Sequence, residues 1–585
     1  MSKKAVILGG GVAGMSAAHE LVERGFMVEV YELNSIAGGK ARSINIPGSA
    51  QGNRKPLPGE HGFRFFPKFY THVPDTMKRI PFKNNANGIF DNLVYAHRAE
   101  MSRNGKKPLK ILTEFPNDIG DLEFLLRNYH DMDTGLTKED IKIFADRLWQ
   151  LMTSCEERRL AEYEQISWWD YIQADGKSEP YQNLLAIGLT RTLVAAKAKE
   201  ASARTGGDII LQLMFDMMLP GQSSADRLLN GPTNDVWIDP WLTYLTAKGV
   251  RYNKNAKVVS INCDGKKVTG ASIEQNGNIT EVTGDYYISA LPVEVFDKFI
   301  TPELIKADAG LANIKELATC VSWMNGIQFY LKEDIDIING HTIFIDSQWA
   351  LTSISQKQFW SDINFNELGD GTVKGILSVD ISDWFNPGEL FPNANTGKNK
   401  TAAECTREEI QKEVWHQLKK SLNFESELLQ DKHLHSWFLD PDILFEHEGR
   451  PHTTINMEPL LINKKDTWKL RPEAVTKIPN LFLASDYMRT YTDLATMEGA
   501  NEAARRAVNG IIESSGIKAD KCELWPLQEP WLLNAWKKHD KKRFDKGLHY
   551  NGQLSDNIIV NFIFKGCRIG LRYCRAFLRI LKKKG

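Results

Sequence analysis

The sequence predicts an α/β fold: a parallel-sheet lobe assembled from distant chain segments, interleaved with an α+β lobe and followed by a C-terminal helical extension. Three observations predict it. Residues 5–8 form a short apolar run ending in glycines, as a buried parallel strand does. Residues 12–24 then carry helical periodicity, with Ala17, Ala18 and Leu21 inward and Gly25 closing the helix before a second strand at 28–32. This is the spacing of a right-handed, Rossmann-like βαβ unit. The second observation lies near the other end, where residues 480–484 read as a strand leading into a helix that begins near Thr496. The third lies between them: residues 117–218 turn long-helical and aromatic-rich, as an inserted substrate lobe would. Further strand-like runs occur at 258–261, 286–290, 323–331 and 376–381. These segments place the dinucleotide lobe at residues 1–90, 236–300 and 472–515, the substrate lobe at 91–235 and 301–471, and the extension at 516–585.

Composition narrows the function classes. The 585 residues are 42% hydrophobic, enough for large cores, and 73 Lys and Arg nearly cancel 74 Asp and Glu. A chain so balanced has no overall electrostatic reason to seek nucleic acid. The seven cysteines are odd in number, scattered and free of CxxC, which reads as reduced thiols and not as a disulfide framework or zinc site. His433, His435, His447 and His452 lack HExxH spacing, so no metal site is expected. Met1 to Lys4 leads directly into a strand without a signal-peptide pattern, and no apolar run of about 18 residues occurs. A cytoplasmic location is expected.

The tail differs. Residues 565–585 hold eight Lys/Arg and no acid, interleaved with Ile569, Leu571, Tyr573, Phe577, Leu578, Ile580 and Leu581. Arg568, Arg572, Arg575 and Arg579 recur at helical spacing. That is the pattern of an interfacial helix drawn to anionic lipid, peripheral on the inner face of the cell membrane; the alternative is a helix docked on the protein with a solvated basic face.

The glycine turn carries the first chemistry. Gly9, Gly11 and Gly14 make a G-x-G-x-x-G fingerprint: Gly9 for the tight turn, Gly11 for backbone approach to a pyrophosphate, Gly14 for close helix packing. Val12 and Ala13 open the helix whose N-terminal N–H groups and dipole favour the phosphates. Glu32, ending the second strand, suits the adenosine ribose hydroxyls and disfavours a 2′-phosphate. The Gly38-Gly39-Lys40-Ala41-Arg42 loop suits a second phosphate contact, with Arg42 as a charge-assisted donor, and separates FAD from NAD. Asp486 ends a strand where ribityl hydroxyls would lie. The helix opening at Met497, Glu498, Gly499 and Ala500 would face the pyrimidine end of the flavin, its positive terminus stabilising the reduced anion.

Together with Glu60-His61-Gly62-Phe63-Arg64-Phe65-Phe66 and Leu494 to Ala500, these segments resemble the FAD-dependent amine-oxidase/carotenoid-desaturase superfamily. The similarity is greatest to phytoene and ζ-carotene desaturases of plant and cyanobacterial type, and it is clear over about residues 3–70, 240–296 and 478–513. It implies Gly62, Phe63 and Arg64 near the flavin, Val258 or Val259 along the adenine, and Leu291-Pro292 ending a strand near the cofactor. Two departures stand out. Arg64 stands where desaturases usually carry a His, and Thr496 stands where amine oxidases often place a cage Tyr, which disfavours a primary amine. Arg64 is a candidate to hold a carboxylate, carbonyl or quinone head, with an ion pair to Glu60 as the structural alternative. His61 is divided between flavin packing and proton transfer. Residues 232–241 (PTNDVWIDPW) suit a hydrophobic lid or core more than a pocket.

The resemblance implies an FAD-dependent oxidoreductase that desaturates a lipophilic polyene or isoprenoid by hydride transfer to flavin N5, with a membrane quinone as acceptor. The alternatives are a flavin-dependent double-bond isomerase or fatty-acid hydratase, an amine oxidase, and a non-catalytic FAD-stabilised scaffold at the membrane.

Overall fold

The computed structural model describes residues 3–96, 98–110, 134–190, 197–218, 226–335, 337–424, 426–445 and 454–557. The chain begins with β1 (Lys4–Leu8), α1 (Val12–Glu23), β2 (Met27–Tyr31) and α2 (His72–Lys78). It then leaves for the helical cap, which includes α3 (Lys138–Thr153) and α4 (Ala203–Met218). It returns with β3 (Arg251–Asn253) and β4 (Tyr286–Ser289). The second lobe follows, with β5 (Asn325–Leu331), β6 (Gly375–Ile381) and β7 (Leu434–Leu439). Then come β8 (Leu481–Leu483), α5 (Met497–Ser515) and α6 (Asn534–Phe544).

The dinucleotide sheet has the order β8-β4-β1-β2-β3, and every pairing is parallel. Its register sets Ala5 opposite Tyr286 and Val28, and Ile288 opposite Phe482. All of β4 and β8 is buried, as a sheet covered on both faces requires. Residues separated by more than 470 positions therefore end on one sheet edge. Helices α1 and α5 pack on one face through small side chains, among them Ala17, Ala18, Ala504 and Ala507. Polar pins cross the contact: Asn501 donates to Ser16 Oγ at 2.8 Å, and Arg505 approaches Glu20 at 3.6 Å. The 232–241 stretch belongs to this core, with Trp237 and Trp241 buried and stacked at 6.1 Å.

The second lobe centres on a seven-stranded sheet, β7-β5-β6 followed by Leu351–Ser355, Gly340–Phe344, Arg98–Arg103 and Lys106–Lys110. Every residue of β5 and β6 is buried. In the cap, α3 and its neighbours bury Trp168, Tyr171 and Tyr181. A loop residue ties cap to cofactor lobe: Asp493, in the left-handed region at φ 52°, pairs with Arg471 at 3.0 Å and with Arg204 of α4. A non-glycine residue keeps that backbone only where its surroundings hold it, and two buried guanidinium groups do so.

Residues 565–585, His447, His452 and residues 117–133 lie outside the described residues. No helix among the described residues is long and apolar enough to cross a membrane.

Candidate active site

The turn from β1 to α1 admits only glycine at several points. A Cβ on Gly14 would lie 2.0 Å from the Gly9 carbonyl oxygen, and one on Gly9 (φ 102°) would lie 2.8 Å from the Ala290 oxygen. Ala290 immediately follows β4, so Leu291-Pro292 does stand beside the turn. Gly39, left-handed at φ 56°, backs onto Gly11, where its Cβ would sit 2.9 Å from the Gly11 Cα. The two glycine loops thus face each other at close range. Gly11 caps α1 with no side chain, and the first turn carries no acid, so Val12, Ala13 and Gly14 present uncapped N–H groups. Glu32 is 6% exposed; its two oxygens accept from Gly10 N at 2.8 Å and Asn34 N at 2.9 Å, and burial raises its pKa. Tyr252 of β3, which sequence reasoning missed, donates to the Gly10 carbonyl at 2.6 Å. Val258 is buried in an adjoining hairpin sheet, whereas Val259 is 38% exposed.

At the other end, Asp486 follows β8 with Ser485 Oγ at 3.4 Å, and burial raises its pKa. Thr496 caps α5 by accepting from Gly499 N at 3.1 Å, and a Cβ on Gly499 would meet the Leu494 oxygen at 2.8 Å. Met497 and Ala500 are half-buried in the opening turns of α5. Glu498 departs from expectation. Its carboxylate accepts from the backbone N–H groups of Thr71, His72 and Val73 at 2.7–2.9 Å and contacts His72 Nδ1 at 2.7 Å. Its side chain holds the start of α2 against α5.

Between these ends lies a buried cluster of charge. Arg42, expected on a phosphate, instead donates to both oxygens of Asp442 at 2.8 and 2.6 Å and to the Gly39 carbonyl at 2.9 Å. A loop 400 residues away supplies that carboxylate, so local sequence held no sign of it. Lys40 pairs with Glu294 at 2.9 Å and donates to the Pro459 carbonyl. His61 Nδ1 lies 2.6 Å from Asp440 and 3.5 Å from Asp442. Burial opposes its charged form, but the Asp440 carboxylate overrides this and holds the pKa at about 9. His61, Asp440 and Asp442 bring ligand atoms within 4.8 Å of one another, yet Arg42 and the protonated imidazole already balance the carboxylates. Arg64 donates to the carbonyls of Gly62 at 2.5 Å and Lys40 at 2.7 Å. Glu60, the expected ion-pair partner, accepts from Thr233 N and Oγ1 at 2.9 Å; burial raises its pKa to about 7, against the pull of Arg64. Asp380 of β6 approaches Gly62 so closely that a Cβ there would lie 2.7 Å from Oδ1, and burial raises its pKa to about 7. Asp380, Asp440, Asp442 and Thr233 were not legible beforehand; only the acids of Asp440-Pro441-Asp442 after a strand gave a local signal.

These groups fit a flavin dinucleotide. The glycine turn and uncapped α1 suit its pyrophosphate, Glu32 its adenosine ribose, and Asp486 its ribityl chain. The first turn of α5 and the His61–Arg64 segment would flank its ring. Two openings adjoin the site. One is lined by Leu189, Ala201, Ile209, Ile210, Leu461 and Leu494, with Thr190, Thr205 and Asn463. The other joins Arg64 and Glu60 to Phe63, Leu228, Leu229 and Trp360.

The two glycines of the turn separate packing from cofactor binding. Gly14→Ala destabilises the protein by roughly 1–3 kcal/mol through overpacking. Gly11→Ala, whose Cβ meets nothing nearer than 3.6 Å, leaves the urea midpoint of the flavin-free protein unchanged but lowers the flavin retained on purification. Equal midpoint losses in both variants would contradict this. Asp380 generates a pH dependence. Its folded pKa of about 7 exceeds the ordinary 3.8, so its stabilising proton is fully present below pH 3.8 and lost as pH rises through 7. Asp380→Asn should flatten that decline in urea midpoints across this window; an unchanged slope contradicts the assignment.

Comparison with known proteins identifies the family. The sequence profile of the family described as flavin containing amine oxidoreductase matches residues 12–512. The chain is 23% identical to a probable zeta-carotene desaturase of Synechococcus elongatus, over 88% of this chain and 100% of that protein. It is 24% identical to the zeta-carotene desaturase of a Synechocystis species, over 87% and 97%. Among solved structures, putrescine oxidase bound to putrescine shares the fold with a TM-score of 0.56 at 12% identity, covering 88% of this chain and 99% of that one. FAD is the cofactor that this family and this site share. The chain belongs to the flavin-containing amine oxidoreductase family and is an FAD-dependent oxidoreductase.

Proposed function

We propose that this oxidoreductase desaturates a lipophilic polyene or isoprenoid chain. The observation that carries the reading is the mainly apolar pocket whose wall includes Leu494, two residues before the Thr496 cap of α5. Its polar groups, Thr190, Thr205 and Asn463, are uncharged, so an amine would gain no ion pair there. The zeta-carotene desaturases among its relatives support the same substrate class. Bound FAD supplies two-electron acceptance: a C–H bond yields a hydride, the neighbouring carbon loses a proton, and a C=C bond forms. The residues of this chain would hold the hydrocarbon in place and exclude water, and α5 and the His61–Arg64 segment would hold the flavin. Buried Glu60 and Asp380, with pKa values raised to about 7, are the groups beside Arg64 able to take up a proton near neutrality. For reoxidation we propose a quinone, its head against Arg64 in the smaller opening, where Phe63, Leu228 and Trp360 stand beside Glu60 and Arg64. We also propose that the basic segment 565–585 brings the enzyme to an anionic membrane surface, where substrate and quinone are dissolved.

Anaerobic addition of a polyene should bleach the flavin absorbance and lengthen the polyene chromophore, and a quinone should restore the flavin. Failure to bleach, or peroxide release on amine addition, overturns the reading. Gly206 of α4 lines the cavity and has open space where a Cβ would stand. Gly206→Leu should fold normally and lower kcat/KM for the polyene by about ten-fold by displacing the chain; unchanged kinetics would place the substrate elsewhere. Replacing Arg568, Arg572, Arg575 and Arg579 together by Gln should reduce co-sedimentation with anionic vesicles, and undiminished binding would remove the tail as an anchor.

A further inference from the structure

Helix α6 has two unlike sides. Its inner side is docked on the cap: Trp536 meets Trp149 at 5.5 Å, Leu533 is buried, and Asp540 pairs with buried Arg158 at 3.0 Å. Three of its basic residues are paired as well: Lys537 with Glu529, Lys541 with Glu157 at 3.4 Å, and Arg543 with Asp556. The other three basic residues of the helix and its end, Lys538, Lys542 and Lys546, are exposed and meet no carboxylate among the described residues. They recur every four residues, so they form one stripe along the outer side. Exposed Ala535 continues the stripe at a spacing of three, and the 3-10 turn Trp531–Leu533 leads directly into the helix. Trp531 is 76% exposed, more than any other large hydrophobic residue described, and Leu532 beside it is 43% exposed.

Pairing on one side and its absence on the other sort the charges by face. A helix docked merely for stability needs no unpaired lysines after an exposed tryptophan. We propose that the outer face of α6, led by Trp531 and Leu532, docks on an anionic lipid bilayer. The two apolar side chains would enter the headgroup boundary, where an indole places its ring in the apolar zone and its N–H in the wet one. Lys538, Lys542 and Lys546 would lie along the phosphates, their alkyl stems against the acyl boundary. Charge decides against the other occupants. The segment 565–585 carries eight Lys/Arg and no acid, and a second copy of this face repeats the same lysines, so both are repelled. The molecule as a whole has a net charge of −1, so the attraction is local to this stripe. This docking face rests on neither the redox reading nor the basic tail.

The test uses the full-length flavoprotein and vesicles of phosphatidylcholine with or without phosphatidylglycerol. Wild type should co-sediment with the anionic vesicles and only weakly with the neutral ones. Each lysine contributes on the order of five-fold to partitioning on such a surface. The triple variant Lys538→Gln, Lys542→Gln, Lys546→Gln, with its tail intact, should therefore lose about a hundred-fold on the same scale. The double variant Trp531→Ala, Leu532→Ala should weaken binding to both vesicle types, and flavin content and thermal midpoint should match wild type in every case. Wild-type-like partitioning of either variant overturns the proposal, as does a wild type that ignores phosphatidylglycerol. A loss confined to the variant with Gln at 568, 572, 575 and 579 assigns binding to the tail and overturns the role of α6.

Discussion

The parallel pairing of β1 with both β2 and β4, extended by β8, is the constraint on which the rest of the structure depends. Parallel strands end on the same edge, so Gly9, Ala290 and Ser485 all leave the sheet on one side. From that edge α1 and α5 run away side by side, so both N-termini lie on the side where a dinucleotide would bind. The interhelical pins, Asn501 on Ser16 and Arg505 near Glu20, fix the distance between the two termini. Small alanines allow the close approach, and a bulkier side chain there would part the two halves of the cofactor site.

The second lobe meets this frame through buried charge and not through apolar packing alone. Gly326 of β5 accepts no side chain because the Gly62 backbone lies against it, and its N–H donates to the His61 carbonyl at 2.6 Å. Asp440 and Asp442, just past β7, then reach back to His61 and Arg42. Charges removed from water at this cost must be paired, and pairing across lobes holds the ring-facing segment in one conformation. The same arrangement leaves the two terminal nitrogens of Arg64 on backbone carbonyls, with burial holding Glu60 and Asp380 only part-ionised near pH 7. The site thus carries fewer net charges than its count of ionisable residues suggests.

The helical cap is bound to the frame at Asp493, one residue before the cavity wall at Leu494. Its left-handed backbone and two arginine partners couple α4 to the loop that opens α5. One loop therefore joins the wall of the pocket at Leu494 to the cap of α5 at Thr496. On the far side, the extension from residue 516 lays Trp525 on His72, which is bonded to Glu498, so the extension also steadies the base of α5.

The sequence by itself determined the cofactor lobe. Gly9, Gly14, Gly38 and Gly39 stand where a Cβ would collide or φ is positive, and strand and helix periods are local properties that a short window reveals. It also determined the family, because Glu32, Gly38 to Arg42 and Met497 to Ala500 are contiguous motifs. The roles of Arg42, Glu498 and Glu60 were decided only by tertiary structure. Each is a long charged side chain, and its partner was chosen by burial among groups 173 to 427 residues distant, such as Asp442 for Arg42 and the start of α2 for Glu498. Asp380, Tyr252 and the cavity at Gly206 were likewise invisible, since they arise where separate segments converge and none belongs to a repeating pattern. Motifs specify what a backbone must bind, whereas pairing of buried charge is settled by which segments the fold brings together.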